Sequence, residues 1–164
     1  MAKGPRYSVK FRRRREGKTD YQKRVNYLKS KKTRLVVRRS NKYITAQVVQ
    51  YSTKGDKTLA LVSSKNLEKL GWSYSRKNIP AAYLTGLLLG KKAEVKEAIL
   101  DIGELHTREG TRIYAVAKGF KDAGIKLSCD EKMFPKEERL QGKHISDKIA
   151  KKFEEVKKKI LAKK

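Results

Sequence analysis

Four consecutive arginines, Arg12–Arg15, are the residues whose type and spacing most clearly predict a chemistry. They belong to a segment, residues 1–42, that holds 17 Lys or Arg residues but only two acids, Glu16 and Asp20. Neighbouring guanidinium groups lie well inside the screening length of about 8 Å at physiological salt, so they repel one another. Phosphate relieves this repulsion, because a planar guanidinium can donate to two of its oxygens at once. The segment therefore predicts a polyanionic partner; the alternative is a solvated tail without a particular ligand.

Metal binding and nucleophilic catalysis have few side chains to support them. His106, His144 and Cys129 lack the close spacing of four ligands that structural zinc requires, so each histidine is expected at the surface or in contact with RNA. Cys129 precedes Asp130 and Glu131, whose negative charges raise the pKa of a thiol and so disfavour a reactive thiolate. The glycine motifs of phosphate-binding loops and nucleophile elbows are missing from the sequence. We therefore predict no cofactor.

Three carboxylates, Asp101, Glu104 and Glu109, are the best remaining catalytic candidates. Together they could hold Mg²⁺ for phosphodiester cleavage, as in nucleases of the ribonuclease H type. Such nucleases need an acid on the first strand of the sheet, and the first predicted strand, residues 34–40, contains none. Asp56 falls in a turn and is a poor replacement. A Mg²⁺-dependent nuclease stays an alternative, but the sequence does not favour an enzyme.

Composition places the chain among small, strongly basic nucleic-acid-binding proteins. Its 164 residues fit one domain with appendages, and 43 Lys or Arg against 17 Asp or Glu give a net charge of +26. A single cysteine excludes an intrachain disulfide, which is typical of a cytosolic protein. The longest apolar run is shorter than the ~20 residues that span a bilayer, and the N-terminus lacks the apolar core of a signal peptide. We therefore expect a cytoplasmic protein without a membrane partner.

The N-terminal third predicts an extension, a helix and a meander of strands. Residues 1–17 are too polar to bury a core, so their order is expected to depend on a partner. Thr19 and Gln22 fit a capping box that opens a helix, with one apolar stripe formed by Tyr21, Val25 and Leu28. Three β-branched runs separated by short turns predict an antiparallel meander. These strands cover residues 34–40, 43–52 and 58–63.

The rest of the chain predicts helices around one further strand. Residues 64–70 form a short helix that ends at Gly71, and residues 78–90 form a buried central helix because they are apolar nearly all round. A strand at 98–102 and a helix at 111–123 follow, and residues 127–143 look irregular. The last helix covers residues 146–161. Its apolar stripe consists of Ile145, Ile149, Phe153, Val156 and Ile160.

This order of elements predicts a mixed α/β (α+β) fold. A three-stranded antiparallel meander with one added strand is packed by helices, between a basic N-terminal extension and a C-terminal helix. The predicted parts are the extension at 1–17, the globular RNA-binding domain at 18–126, an irregular link at 127–144 and a lysine-rich helix at 145–164.

Several stretches together resemble a known family. They are RRRREGKTDY at 12–21, KTRLVVRRSNK at 32–42, GW at 71–72, NIPAAYLTGLLLG at 78–90, EAILDIG at 97–103, KGFKDAG at 118–124 and EERLQGKHI at 137–145. In this order they resemble the universal ribosomal protein of the large subunit that binds 5S rRNA, family eighteen of archaea and bacteria, in its archaeal and eukaryotic form. Residues 128–130 depart from the pattern, so contacts made by the neighbouring link are not implied.

The resemblance implies a structural RNA-binding protein. Its expected partners are 5S rRNA, the large-subunit (23S-type) rRNA and the neighbouring 5S-binding proteins of the central protuberance. The RNA-contacting positions that it implies are Arg12, Arg13, Arg14, Arg15, Lys18, Tyr21, Arg24, Lys32, Arg34, Arg38, Arg39, Asn41 and Lys42. DNA is not expected, since the charge is concentrated at one end of a folded domain rather than on a recognition helix. Besides the nuclease, a non-specific nucleic-acid-binding protein is the alternative.

Overall fold

A five-stranded mixed sheet forms the centre of the chain in the computed structural model, which describes residues 4–162. Its strand order is β3-β2-β1-β4-β5. The strands are β1 (Arg34–Arg39), β2 (Ile44–Gln50), β3 (Lys57–Ser63), β4 (Glu97–Asp101) and β5 (Lys126–Ser128). The first three pair antiparallel, and β4 pairs parallel with both β1 and β5. The predicted meander and mixed fold class are therefore confirmed, with one strand more than predicted.

One face of the sheet is covered by two helices and buries the core. Alternation along β1 and β2 turns Leu35, Val37, Ala46 and Val48 to this face, and none of them is exposed. The helices that cover it are α3 (Ile79–Lys92) and α4 (Arg112–Asp122), and a second helical layer packs on α3.

The central helix α3 is buried along most of its length. The side chain of Asn78 caps it by accepting a hydrogen bond from the backbone N–H of Ala81 at 3.0 Å. Every residue from Pro80 to Gly90 is buried, as predicted, and the helix continues to Lys92. Its apolar character all round follows from this position between the sheet and the outer helices.

Two glycines let α3 and α4 cross at very short range. A Cβ added to Gly86 would lie 2.0 Å from the carbonyl oxygen of Val116, and one added to Gly119 would lie 2.1 Å from the carbonyl oxygen of Tyr83. Each helix therefore presents a glycine to the backbone of the other. This close approach fixes how α4, and the loop before it, sit against the sheet.

The N-terminal helices differ from the prediction. A single-turn helix α1 (Arg12–Arg15) lies within the predicted extension, and α2 is Tyr21–Lys29. The cap of α2 is Asp20, not Thr19, because its carboxylate accepts hydrogen bonds from Gln22 and Lys23 at 2.9 and 3.1 Å. Neither helix contains a buried residue, and Val25 of the predicted apolar stripe is 50% exposed.

The C-terminal third contains more regular structure than predicted. A short helix Ser64–Leu70 does end at Gly71, whose left-handed φ of 92° closes it. The supposedly irregular residues 127–143 include most of β5 and the helix α5 (Glu137–Gln141). The last helix, α6 (Asp147–Ala162), buries Ile149, Phe153, Val156 and Ile160 as predicted. Ile145 precedes the helix and is 49% exposed, so its place in the stripe was wrong.

Two predicted segments extend past the structure's limits. The first three residues of the 1–17 extension and the last two of the 145–164 helix lie outside the described residues. Between residues 4 and 162, every helix is either too short or too polar to cross a bilayer.

Candidate nucleic-acid interface

The arginines of α1 are exposed at the N-terminal end of the molecule. The ring of Phe11 lies 5.3 Å from the ring of Tyr21, centroid to centroid, which attaches α1 to the start of α2. Arg13 donates from Nε to the hydroxyl of Thr19 at 2.8 Å, so Thr19 orients an arginine instead of capping the helix. Arg14 and Arg15 point their charge to solvent within an exposed turn. The segment thus displays cations from a short, tethered helix.

Helix α2 lies over the face of the sheet opposite the core. Tyr27 and Arg24 of α2 line an open cleft with Val36, Gln47 and Val49, whose side chains point away from α3 and α4. We call this concavity of about 250 Å³ the α2 cleft and define it by Arg24, Tyr27, Arg34, Arg38 and Asp101. Apart from Val25, the exposed residues of α2 are polar, which is consistent with a helix held at the molecular surface.

Arg34 is the centre of an ion network at the floor of this cleft. Its Nη2 donates to Asp56 at 2.7 Å and its Nη1 donates to Asp101 at 3.1 Å. The side chain is 4% exposed, and that of Asp101 is 8% exposed. Its Nε has no hydrogen-bond partner within residues 4–162. Buried charges need such paired, hydrogen-bonded partners, so Arg34 fixes the two acids rather than reaching outward.

Arg38 and Arg24 extend the network to the surface. Arg38 donates from Nη2 to Asp101 Oδ1 at 3.1 Å and from Nη1 to the carbonyl of Asp101 at 3.0 Å. Its guanidinium lies over Gly103, where a Cβ would come 3.0 Å from the guanidinium carbon. Arg24 donates to Asp56 at 2.9 Å. Both arginines are therefore oriented while half of the Arg38 side chain stays exposed.

The α2 cleft shifts the pKa values of Asp56 and Tyr27 in opposite directions. Burial alone would raise the pKa of Asp56, but hydrogen bonds from Arg24 and Arg34 outweigh burial and hold this pKa below its ordinary value. Burial, followed by the charge of Asp101, raises the pKa of Tyr27. Asp56 therefore stays ionised and Tyr27 stays a neutral phenol at neutral pH.

The structure brings together some of the predicted site residues and leaves others apart. The α2 cleft gathers Arg13, Lys18, Arg24, Arg34 and Arg38, and an adjoining concavity gathers Arg14 and Tyr21. Arg12 and Arg15 lie exposed on α1, and Lys32 pairs with Glu97 at 2.8 Å. Arg39, Asn41 and Lys42 are exposed at the β1–β2 turn. Burial makes Arg34 the member least suited to a direct contact.

The carboxylates considered for a nuclease are committed to other contacts or stand apart. Asp101 Oδ1 accepts from Arg38 and from the backbone N–H of Gly103 at 2.9 Å, while Oδ2 accepts from Arg34. Within residues 4–162, no group of three or more His, Cys, Asp or Glu side chains is arranged to hold a metal ion. The role of Asp101 visible here is to orient arginines.

Sequence reasoning missed the partners that orient the basic residues. Asp56 was judged only as a remote acid in a turn, and Asp101 only as a catalytic candidate. The signal was the parallel pairing of β1 with β4, which sets Val36 opposite Asp101 and so brings Asp101 close to Arg34 and Arg38. An arginine at the start of one strand, with an acid at the end of another strand, is the pattern that could have predicted this.

Comparison with known proteins identifies the family. The model of the family described as "Ribosomal large subunit proteins 60S L5, and 50S L18" matches residues 5–97, more than half of the chain. The match covers α1, α2, the meander, α3 and the start of β4, so it includes most of the surface described above. The chain belongs to this family.

Three archaeal relatives, each named large ribosomal subunit protein uL18, extend the similarity to nearly the whole chain. The protein of Korarchaeum cryptofilum is 53% identical over 94% of this chain and 80% of its own length. That of Methanothrix thermoacetophila is 46% identical over 98% and 99%. That of Caldivirga maquilingensis is 50% identical over 92% and 74%.

Membership of the family confirms the broad prediction. The chain is a ribosomal protein of the large subunit, a ribonucleoprotein component that serves translation in the cytoplasm, and not an enzyme. Neither the nuclease nor the non-specific binder finds support among these relatives.

Proposed function

We propose that the chain binds 5S rRNA and attaches it to the large-subunit rRNA in the central protuberance. The N-terminal segment, α2 and the β1–β2 turn form the proposed binding surface. Neighbouring 5S-binding ribosomal proteins are the proposed protein partners there. The family of the chain and the chemistry of its basic surface both support this function.

The observation that carries the proposal is the coexistence of two kinds of arginine on one surface. Arg24 and Arg38 are held by Asp56 and Asp101 in defined orientations. The arginines of α1 are exposed and tethered mainly through Phe11 and Tyr21. Oriented cations favour one shape of phosphate backbone, whereas tethered cations add affinity and can adjust to it.

This combination suits structured RNA. An A-form helix hides its base edges in a deep groove, so recognition depends on phosphates, 2′-hydroxyls, shape and unstacked bases. Lysine and arginine supply the phosphate contacts, and Asn41 and Tyr21 offer a hydrogen-bonding group and a ring for stacking. Arg34 has a different proposed part: its buried guanidinium positions Asp101 and Asp56, which in turn orient Arg38 and Arg24.

The proposal is tested by replacing Arg12–Arg15 with glutamine and measuring the affinity for 5S rRNA across a salt series. Each lost phosphate contact should reduce the slope of log affinity against log salt by about 0.7–0.9. The matched control removes four charges from exposed lysines of α6, Lys148, Lys151, Lys158 and Lys159. Equal losses of affinity in both variants would contradict the proposed role of the N-terminal arginines.

A further inference from the structure

A second basic concavity lies at the N-terminal ends of α3 and α4, beside the proposed surface. It is an open cleft of about 970 Å³, and we call it the α4 cleft. Five cationic side chains define it: Arg39, Lys77, Arg108, Arg112 and Arg139. Two acids, Glu104 and Glu109, share the wall with His106 and His144. Positive charge therefore exceeds negative charge even with both histidines neutral.

The cations of the α4 cleft differ from those of the α2 cleft in having no acidic partner. None of the five forms an ion pair with a carboxylate anywhere within residues 4–162, whereas Arg24, Arg34 and Arg38 are all paired. Arg112 donates only to a backbone carbonyl, that of Lys77, at 3.2 Å. Unpaired like charges around a concave wall concentrate a positive potential and attract an anion.

The start of α4 adds hydrogen-bonding groups without partners. Thr111 occupies the cap position, yet its side chain makes no capping hydrogen bond. Its hydroxyl oxygen is buried and has no hydrogen-bond partner among the described residues. Asn78, at the start of α3, does cap its own helix, so the difference is local to α4. A buried polar group left unpaired costs about 1–3 kcal/mol. Solvent does not reach this hydroxyl in the free protein, so an anionic oxygen would accept from it only after a local shift of the cleft wall.

We propose that the α4 cleft binds a phosphodiester group of ribosomal RNA. This contact rests on the proposed RNA-binding function but uses Lys77, Arg108, Arg112 and Arg139, which lie outside that surface. Glu104 lines both the α2 cleft and the α4 cleft, so the two concavities adjoin. Arg39 follows Arg38 directly at the end of β1, so the cationic walls of the α2 cleft and the α4 cleft meet there. The phosphate comes either from 5S rRNA, continuing along the surface, or from the large-subunit rRNA on its far side.

The test compares two triple variants with the same loss of charge. The cleft variant carries Lys77→Gln, Arg108→Gln and Arg139→Gln, and all three side chains are exposed and free of ion pairs within residues 4–162. The control variant carries Lys148→Gln, Lys151→Gln and Lys158→Gln on the exposed side of α6. Thermal unfolding of both variants checks that the fold is kept.

Two binding arms distinguish the sources of the phosphate. The first measures affinity for 5S rRNA, and the second measures capture of the preformed protein–5S rRNA complex by large-subunit rRNA. A loss on the order of tenfold for the cleft variant, beyond that of the control, is expected in at least one arm. A loss in the first arm assigns the phosphate to 5S rRNA, and a loss confined to the second assigns it to the large-subunit rRNA. If the cleft variant loses no more affinity than the control variant in both arms, the proposal is overturned.

Thr111→Val provides a variant that removes no charge. Because the hydroxyl has no partner in the free protein, the substitution should leave thermal stability unchanged or raise it. If the hydroxyl donates to phosphate, RNA affinity falls several-fold in the same arm as for the cleft variant. Unchanged affinity in both arms counts against the proposed geometry.

Failure of this proposal is distinguishable from failure of the proposed function. In one outcome, replacing Arg12–Arg15 weakens 5S rRNA binding, but the cleft variant binds like its control. The proposed function would then stand, and the proposed phosphate site in the α4 cleft would be rejected. If the Arg12–Arg15 variant also matched its own control, the RNA-binding surface itself would be rejected.

Discussion

The guanidinium of Arg34 donates to the carboxylate of Asp101 across 3.1 Å, between two strands that are parallel neighbours in the sheet. Both side chains are buried, and Asp101 also accepts from the half-exposed Arg38. The pair therefore connects the interior to the proposed RNA surface. Its loss should affect both folding and binding.

Arg34→Gln should lower the free energy of unfolding by about 1–3 kcal/mol, because Asp101 loses its buried cationic partner and keeps only the half-exposed Arg38. Urea unfolding monitored by circular dichroism measures this change. Arg39→Gln is the control: it removes the same charge from an exposed position and should change stability by no more than about 0.5 kcal/mol. Similar stabilities for the two variants would show that the ion network does not support the fold.

Asp56 makes a pH-dependent contribution to stability. Its pKa is lower in the folded state than in the unfolded chain, so the folded state releases the proton more readily. The resulting stabilisation is complete above the unfolded pKa of about 3.9 and is lost as pH falls through the lower folded pKa. The difference in unfolding free energy between the native protein and Asp56→Asn should therefore be constant near neutral pH and shrink below about pH 4. A constant difference down to pH 2 would contradict this role.

Gly86→Ala should destabilise the protein although alanine favours helix. The added methyl carbon would lie 2.0 Å from the carbonyl oxygen of Val116, so α3 and α4 must separate. Overpacking of this kind costs about 1–3 kcal/mol or more. Gly4→Ala, where no atom lies within 4 Å, is the control and should have almost no effect on the unfolding midpoint. If the Gly86→Ala variant were as stable as the native protein, the two helices could not cross at this distance.

Two substitutions at Asp20 separate the effect of helix capping on RNA affinity from the effect of charge. Asp20→Ala and Asp20→Asn both remove a negative charge, but only asparagine can still accept the hydrogen bonds from the first turn of α2. If an ordered α2 presents the RNA-binding residues, Asp20→Ala should bind 5S rRNA more weakly than Asp20→Asn. If binding depended only on net positive charge, the two variants would bind 5S rRNA equally well, and both would bind it more tightly than the native protein. Filter binding with 5S rRNA measures the order of affinities.

Much of the fold could be predicted from local patterns. The meander, the cap at Asn78, the buried α3 and the inward stripe of α6 depend on periodicity and turn residues that are visible in the sequence. Thr19 and Asp20 are both good caps, and in the structure Asp20 caps α2 while the hydroxyl of Thr19 accepts from Arg13. Strand β5 is three residues long, so its pattern is too short to detect before its partner β4 is known.

The candidate site could be predicted by residue type but not by role. Arg12–Arg15 and Arg34 look alike in the sequence, yet one group is exposed and the other is buried with two acids. Only the parallel pairing of β1 with β4 assigns Asp101 to Arg34 and Arg38. The α4 cleft assembles residues from four separate segments, so no local pattern could have predicted it.

Binding to 5S rRNA in competition with transfer RNA and duplex DNA, over a salt series, tests the central claim most directly. Charge alone predicts similar affinities for all three, with a steep loss as salt rises, because each neutralised phosphate releases counterions. The oriented arginines of the α2 cleft predict a preference for 5S rRNA that persists at high salt. Equal binding to all three nucleic acids, lost together as salt rises, would contradict the account and leave only a basic protein with a ribosomal fold.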